Sequence, residues 1–225
     1  MAPAPRLLLF DVNETLSDLS SLAPRFAEGG APPELLPVWF AGVLRDGFAL
    51  TATGATADFA TLARDGLRAL LESTDGWRGD SAQAAERVLS GLTSVRVHPD
   101  AAEGLPVLHA AGYRLATLTN GSAATTEAVL GSAGLLDLFE AHLDVGTPGS
   151  WKPAAASYRY ACQELDSPPE RTVLVSVHPW DLHGARRAGL GTAWIHRGSD
   201  RYPTAMDRAD HEARTLVLLA GSLCP

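Results

Sequence analysis

An α/β fold built on a parallel sheet is predicted by three features of this chain: short continuous apolar runs, helical patterns between them, and a polar loop closing each run. Residues 6–11 form the first run and read as a short strand buried on both faces. The same pattern returns at 113–119, 172–176 and 192–196. Helical patterns separate the runs, at 99–111 behind Pro99, at 122–134 with Ser122 as N-cap and Gly134 as stop, at 154–165, and at 181–189 ending on Gly189. Strands alternating with helices imply right-handed βαβ units. In such sheets ligands bind at the carboxyl ends of the strands, which makes Asp11, Thr119, Asn120 and Ser176 neighbours.

Residues 17–97 break the rhythm. No buried strand is legible there. Helical stretches at roughly 33–52, 58–73 and 81–92 are separated by polar or Gly/Pro-rich joints such as 28–33. The domain reading is therefore a core of residues 1–16 and 98–225 and a helical cap of residues 17–97, folded over the strand ends where it can exclude water. Residues 198–213 read as a solvated loop, and 215–220 as a last helix or strand against the core.

Composition narrows the function classes. The chain has 225 residues, 46% of them hydrophobic, and a net charge of −8, which repels phosphate backbones and argues against nucleic acid. Cys162 and Cys224 belong to no CxxC pair, so neither zinc nor a disulfide framework is indicated and a reducing cytoplasm is expected. The apolar run at Leu7–Phe10 is too short for a signal peptide, and no stretch reads as long enough to span a membrane. The histidines show no metal-ligand spacing, and Trp77, Trp151 and Trp194 read as packing residues.

Four segments carry chemistry. Asp11-Val12-Asn13-Glu14-Thr15 follows the first strand and places a carboxylate where it can act as a nucleophile. Thr119-Asn120-Gly121-Ser122 offers a hydroxyl, an amide and backbone N–H groups near a helix start. Lys152, ahead of Pro153, lies outside the next helix and can point at a carboxylate. Ser176-Val177-His178-Pro179-Trp180-Asp181 ends in a second carboxylate.

This ordered set resembles the haloacid dehalogenase superfamily, and within it the type II 2-haloacid dehalogenases. The phosphatase members carry a second Asp where Asn13 stands, to protonate the leaving alcohol, and a magnesium-binding Asp where Ser176 stands; an amide has no proton to give at neutral pH. Halide leaves without a proton. The resemblance therefore implies an Asp11 ester formed by displacement of halide from a 2-haloalkanoic acid, with no metal and no other cofactor. It implies catalytic roles for Asp11, Thr15, Lys152, Ser176 and Asp181, the last two placing the hydrolytic water. It places Thr119 and Asn120 on the substrate carboxylate, and Val12, Asn13, Trp39, Phe40, Phe59, Tyr158, His178 and Trp180 around the substrate. The partner is a small molecule, and the resemblance allows a homodimer.

Two positions depart from the pattern. The family places an anion-receiving Arg after the cap Trp, where this chain has Phe40; Arg45, further along the same helical stretch, reads either as a substitute for that Arg or as a solvated surface residue. The family Asn of the last motif is His178, which can hold water, act as a base or brace its loop. A magnesium-dependent phosphatase, a hydrolase of another electrophilic carbon such as an epoxide, and a non-hydrolytic binder are the other readings.

Overall fold

The computed structural model describes residues 7–197 and 201–223. Arg6 at the start of the first expected strand, part of the 198–213 loop, and Cys224 lie outside the described residues.

The chain runs β1 (Leu7–Phe10), β2 (Ser17–Asp18), α1 (Ala23–Glu28), α2 (Leu35–Ala52), α3 (Phe59–Glu72), α4 (Ser81–Leu89), β3 (Arg96–Val97), α5 (Pro99–Ala110), β4 (Arg114–Thr119), α6 (Ala123–Ser132), β5 (Ala141–Asp144), α7 (Ala155–Glu164), β6 (Thr172–Ser176), α8 (Pro179–Arg187), β7 (Gly191–Ile195), β8 (His211–Ala213) and α9 (Leu216–Leu223). Six strands form one parallel sheet in the order β5-β4-β1-β6-β7-β8. Central β1 pairs on both sides, Leu7 opposite Arg114 on one edge and Thr172 on the other. Its alternation explains the unbroken apolar run. Leu8 and Phe10 pack with Leu105 of α5 and Leu216 of α9, whereas Leu7 and Leu9 pack with Tyr158 of α7 and Leu182 of α8. Helices thus cover both faces.

The strands missed in the sequence are edge or minimal ones. β5 is only partly buried and carries His142 and Asp144, and β8 is exposed at His211 and Glu212, so neither shows an apolar run. Within 17–97, where no buried strand was expected, two minimal strands β2 and β3 pair antiparallel and tie the entry of the insert to its exit. α8 begins at Pro179, not at 181, because Pro fits the first helical turn, where no N–H is needed. Ser122 does cap α6, accepting from the Thr125 N–H at 3.1 Å, and Gly134 follows with φ +70°.

Between β2 and β3, α1–α4 build their own apolar cluster around Phe26, Trp39, Val43, Leu67 and Val88. Val129, Val145 and Trp151 of the sheet-bearing part complete that cluster. α2 is, among the described residues, one helix long and apolar enough by length and composition to cross a membrane, which corrects the expectation that no stretch reaches that length. Its apolar content has an internal use: Leu36, Trp39, Phe40, Val43 and Gly47 are buried.

Candidate active site

The site begins where β1 stops. Asp11 leaves the strand with its N–H still on the Val175 carbonyl at 3.0 Å, so the sheet fixes its backbone. Its side chain is only 5% exposed. Lys152 Nζ donates to Oδ1 at 2.8 Å and Thr15 Oγ1 donates to Oδ2 at 2.6 Å. Lys152 reaches a second carboxylate, Asp181 Oδ2, at 2.7 Å. Tyr158 donates to the other Asp181 oxygen at 2.5 Å. All four carboxylate oxygens therefore hold a donor within one buried cluster.

Charge follows from this packing. Burial pushes a carboxyl up, but Lys152 and His178 attract the Asp11 anion, the Lys152 and Thr15 hydrogen bonds add to that, and Asp11 is held below its ordinary value. Asp181 goes the other way, because burial and the Asp11 charge together outweigh Lys152. Burial would lower the Lys152 ammonium, yet the two carboxylates outweigh it and raise it. Burial, with Asp181 alongside, lifts the Tyr158 hydroxyl well above its ordinary value and keeps it a donor. The result is an ionised, oriented carboxylate in a nearly dry setting, suited to attack on an electrophilic carbon.

Lys152 is placed by its neighbours. Asn120 clamps its peptide from both sides, Oδ1 accepting from Lys152 N at 2.8 Å and Nδ2 donating to Lys152 O at 3.1 Å. Trp151 just before it is bolted to the insert: its N–H donates to Thr51 Oγ1 and its indole N–H to Ala57 O, each at 3.0 Å. Gly47 of α2 lies so close that a Cβ there would sit 2.3 Å from the Trp151 ring.

A cavity of about 370 Å³ opens between the insert and the strand ends. It is lined by Val12, Asn13, Thr119 and Asn120 near the strand ends, by Leu19, Phe59, Leu92 and Val95, and by Val129, Val145 and Trp151. Asp58 and Asp144 also line it, and no Lys or Arg does. Asp11, the residue before Val12, is not among the residues that line it. Beside it, Phe40 tilts against Phe59 at 6.5 Å and His178 at 6.3 Å, His178 stacks on Trp180 at 5.1 Å, and Phe48 meets Trp180 edge-on at 5.0 Å.

Several residues expected at the substrate sit elsewhere. Trp39 is 2% exposed and donates its indole N–H to Ala63 O at 2.8 Å, locking α2 to α3. Tyr158 is fully buried behind Asp181. Asn120 lines the cavity, but its amide is engaged by the Lys152 peptide rather than free for a substrate carboxylate. Thr119 Oγ1 accepts from the Gly121 N–H at 2.9 Å. Ser176 Oγ accepts from the His178 N–H at 3.0 Å, bracing the loop that carries His178. Arg45 is 75% exposed at its side chain and pairs with Asp46. Glu14 escaped selection in the sequence; it sits beside His178 with φ +63°, which residue type alone does not signal. Trp151, read as packing, also lines the cavity.

A parallel sheet with an acid at the end of its central strand, a lysine bridging that acid to another, and a helical insert over both defines a hydrolase working through an aspartate. The family model of haloacid dehalogenase-like hydrolases matches residues 5–189, and the chain belongs to that family. It is 32% identical over 199 residues to (S)-2-haloacid dehalogenase 4A of Burkholderia cepacia, covering 88% of this chain and 85% of that one. A solved dehalogenase with an intermediate complex superposes with a TM-score of 0.91 at 29% identity over all of both chains. The L-2-haloacid dehalogenase of Xanthobacter autotrophicus, solved with chloropropionic acid covalently bound, gives 0.87 at 25% identity, covering 96% of this chain and 97% of that one.

Proposed function

We propose that this protein hydrolyses the carbon–halogen bond of a 2-haloalkanoic acid through an ester on Asp11, without a metal ion. The observation that carries this is the buried Asp11 carboxylate, held ionised between Lys152 and Thr15. One Asp11 oxygen attacks the halogen-bearing carbon from behind, the carbon–halogen bond breaks with its electron pair, and halide departs with inversion. Water then attacks the Asp11 carbonyl, the ester bond breaks, and a 2-hydroxy acid leaves. The covalently bound chloropropionic acid of the Xanthobacter autotrophicus relative supports such an intermediate.

In this reading Thr15 and Lys152 orient the nucleophile. Asp181 and Tyr158 position Lys152, and Ser176 holds the loop from which His178 faces the water. Residues 17–97 act as the cap, with Phe40, Phe59 and Trp180 supplying apolar contact. The cavity of about 370 Å³ leaves room for a longer or aromatic tail than that of a three-carbon acid. A reducing cytoplasm suits the buried free Cys162.

Halide release from each enantiomer of 2-chloropropionate and of 2-bromohexanoate, with EDTA throughout, tests the reading. Release from one enantiomer only, indifferent to EDTA and faster for the longer acid, is expected. No release from either acid, together with magnesium-stimulated phosphate release from an ester, would overturn it.

A further inference from the structure

His178 presents its Nε2 to three oxygens: the Asn13 carbonyl at 3.1 Å, Glu14 Oε2 at 3.6 Å and Asp11 Oδ2 at 3.7 Å. All three are acceptors when the acids are ionised, so Nε2 carries a proton in the resting site. The ring stacks on Trp180 and meets Phe40 at a tilt, and its side chain is 12% exposed. Glu14 reaches it from a backbone with φ +63°, a conformation that disfavours side-chain-bearing residues. Such strain, held three residues after the nucleophile, points to a use for the side chain.

The geometry points to a proton-transfer couple of His178 and Glu14, in which the His178 Nε2–H protonates the departing alkoxide when the Asp11 ester is hydrolysed. This rests on the proposed ester. The Asn13 amide cannot supply that proton, and His178 lies on the carbonyl of the same residue. The leaving oxygen in the second step belongs to a 2-hydroxy acid and, unlike halide, departs more easily when protonated. Water adds to Cγ of Asp11, the bond from Cγ to the alkyl oxygen breaks, and that oxygen takes the proton from Nε2. Of the two protons brought by the water, one restores the imidazolium and the other goes to solvent as Asp11 regains its charge.

Glu14 is the positioning residue, holding the ring charged after Asp11 has lost its own charge to the ester. The charged groups facing the ring are Asp11 and Glu14, with Lys152 behind Asp11; α2 offers only the Phe40 ring. His98 and Arg197 meet the Glu14 backbone carbonyl, not its carboxylate.

The test combines rapid-quench kinetics on 2-bromohexanoate, intact-mass detection of the ester, and an NMR titration of the His178 imidazole. His178→Gln keeps a hydrogen-bond donor but has no proton to give. It is expected to slow ester hydrolysis by about 10²-fold or more, and by more than it slows halide release, so that the Asp11 ester accumulates. Glu14→Gln is expected to move the imidazole titration and the alkaline limb of ester hydrolysis together to lower pH. Halide and hydroxy acid falling together without ester, or an imidazole midpoint unmoved by Glu14→Gln, overturns the couple. Absence of halide release by the unaltered enzyme overturns the dehalogenase reading instead, and the imidazole titration still decides the pairing.

Discussion

At the scale of single residues, the site rests on the balance between burial and charge around Asp11. Asp11→Asn removes the nucleophile, and no halide above background is expected by ion chromatography. Thr15→Val removes the 2.6 Å hydrogen bond to Oδ2 while keeping the shape of the side chain. That bond favours the ionised form, so its loss raises the Asp11 pKa and leaves less carboxylate at a given acid pH. The acid limb of the pH–rate profile should therefore move upward. An acid limb that stays in place would show that the neighbouring Lys152 and His178 set the charge without Thr15. Asp11, Lys152 and Asp181 were legible in the sequence because each motif sits at a strand end or just ahead of a helix. Glu14 was not, since its importance lies in a backbone angle and in a neighbour far along the chain. Trp39 and Tyr158 were assigned by motif position, yet burial turns one toward α3 and the other toward Asp181.

At the scale of elements, α2 and the segment before α7 meet with almost no space to spare. Gly47→Ala would drive a methyl group into the Trp151 ring, at 2.3 Å. Overpacking of this kind costs about 1–3 kcal/mol. The variant should melt several degrees lower and show a raised KM, because Trp151 and Phe59 stack at 6.2 Å along the cavity wall. An unchanged melting temperature would show that α2 shifts freely. The same close approach occurs on the far side of the sheet, where a Cβ on Gly104 of α5 would lie 2.8 Å from the backbone of Leu216 in α9. The central strands and the long helices were legible because burial on two faces, or on one stripe, leaves a periodic mark. β5 and β8 left none, because an edge strand keeps polar residues that mimic a loop. The start of α8 was misplaced although Pro179 was a usable signal.

At the scale of the whole molecule, the apolar cluster of the insert closes only with Val129, Val145 and Trp151 contributed by the sheet-bearing part. Insert and core should therefore unfold together. Tryptophan fluorescence reports on Trp39 and Trp77 in the insert and on Trp151, Trp180 and Trp194 in the core. Its urea transition should coincide with that of far-UV circular dichroism; two separated transitions would mean that the halves are independent. The change of periodicity over residues 17–97 was legible, but the packing of α1–α4 against the sheet-bearing part was not, because the contacts that join them link residues about a hundred positions apart.

The peptide that joins Trp151 to Lys152 gives this arrangement a protective character. One residue is seated in the insert and the next carries the ammonium beside Asp11. Lifting the insert thus tends to withdraw the counter-charge as well, leaving a carboxyl that takes up a proton more readily and attacks less well. If residues 17–97 act as the proposed cap, the charge on Asp11 would depend on that cap being seated, through the Trp151–Lys152 peptide.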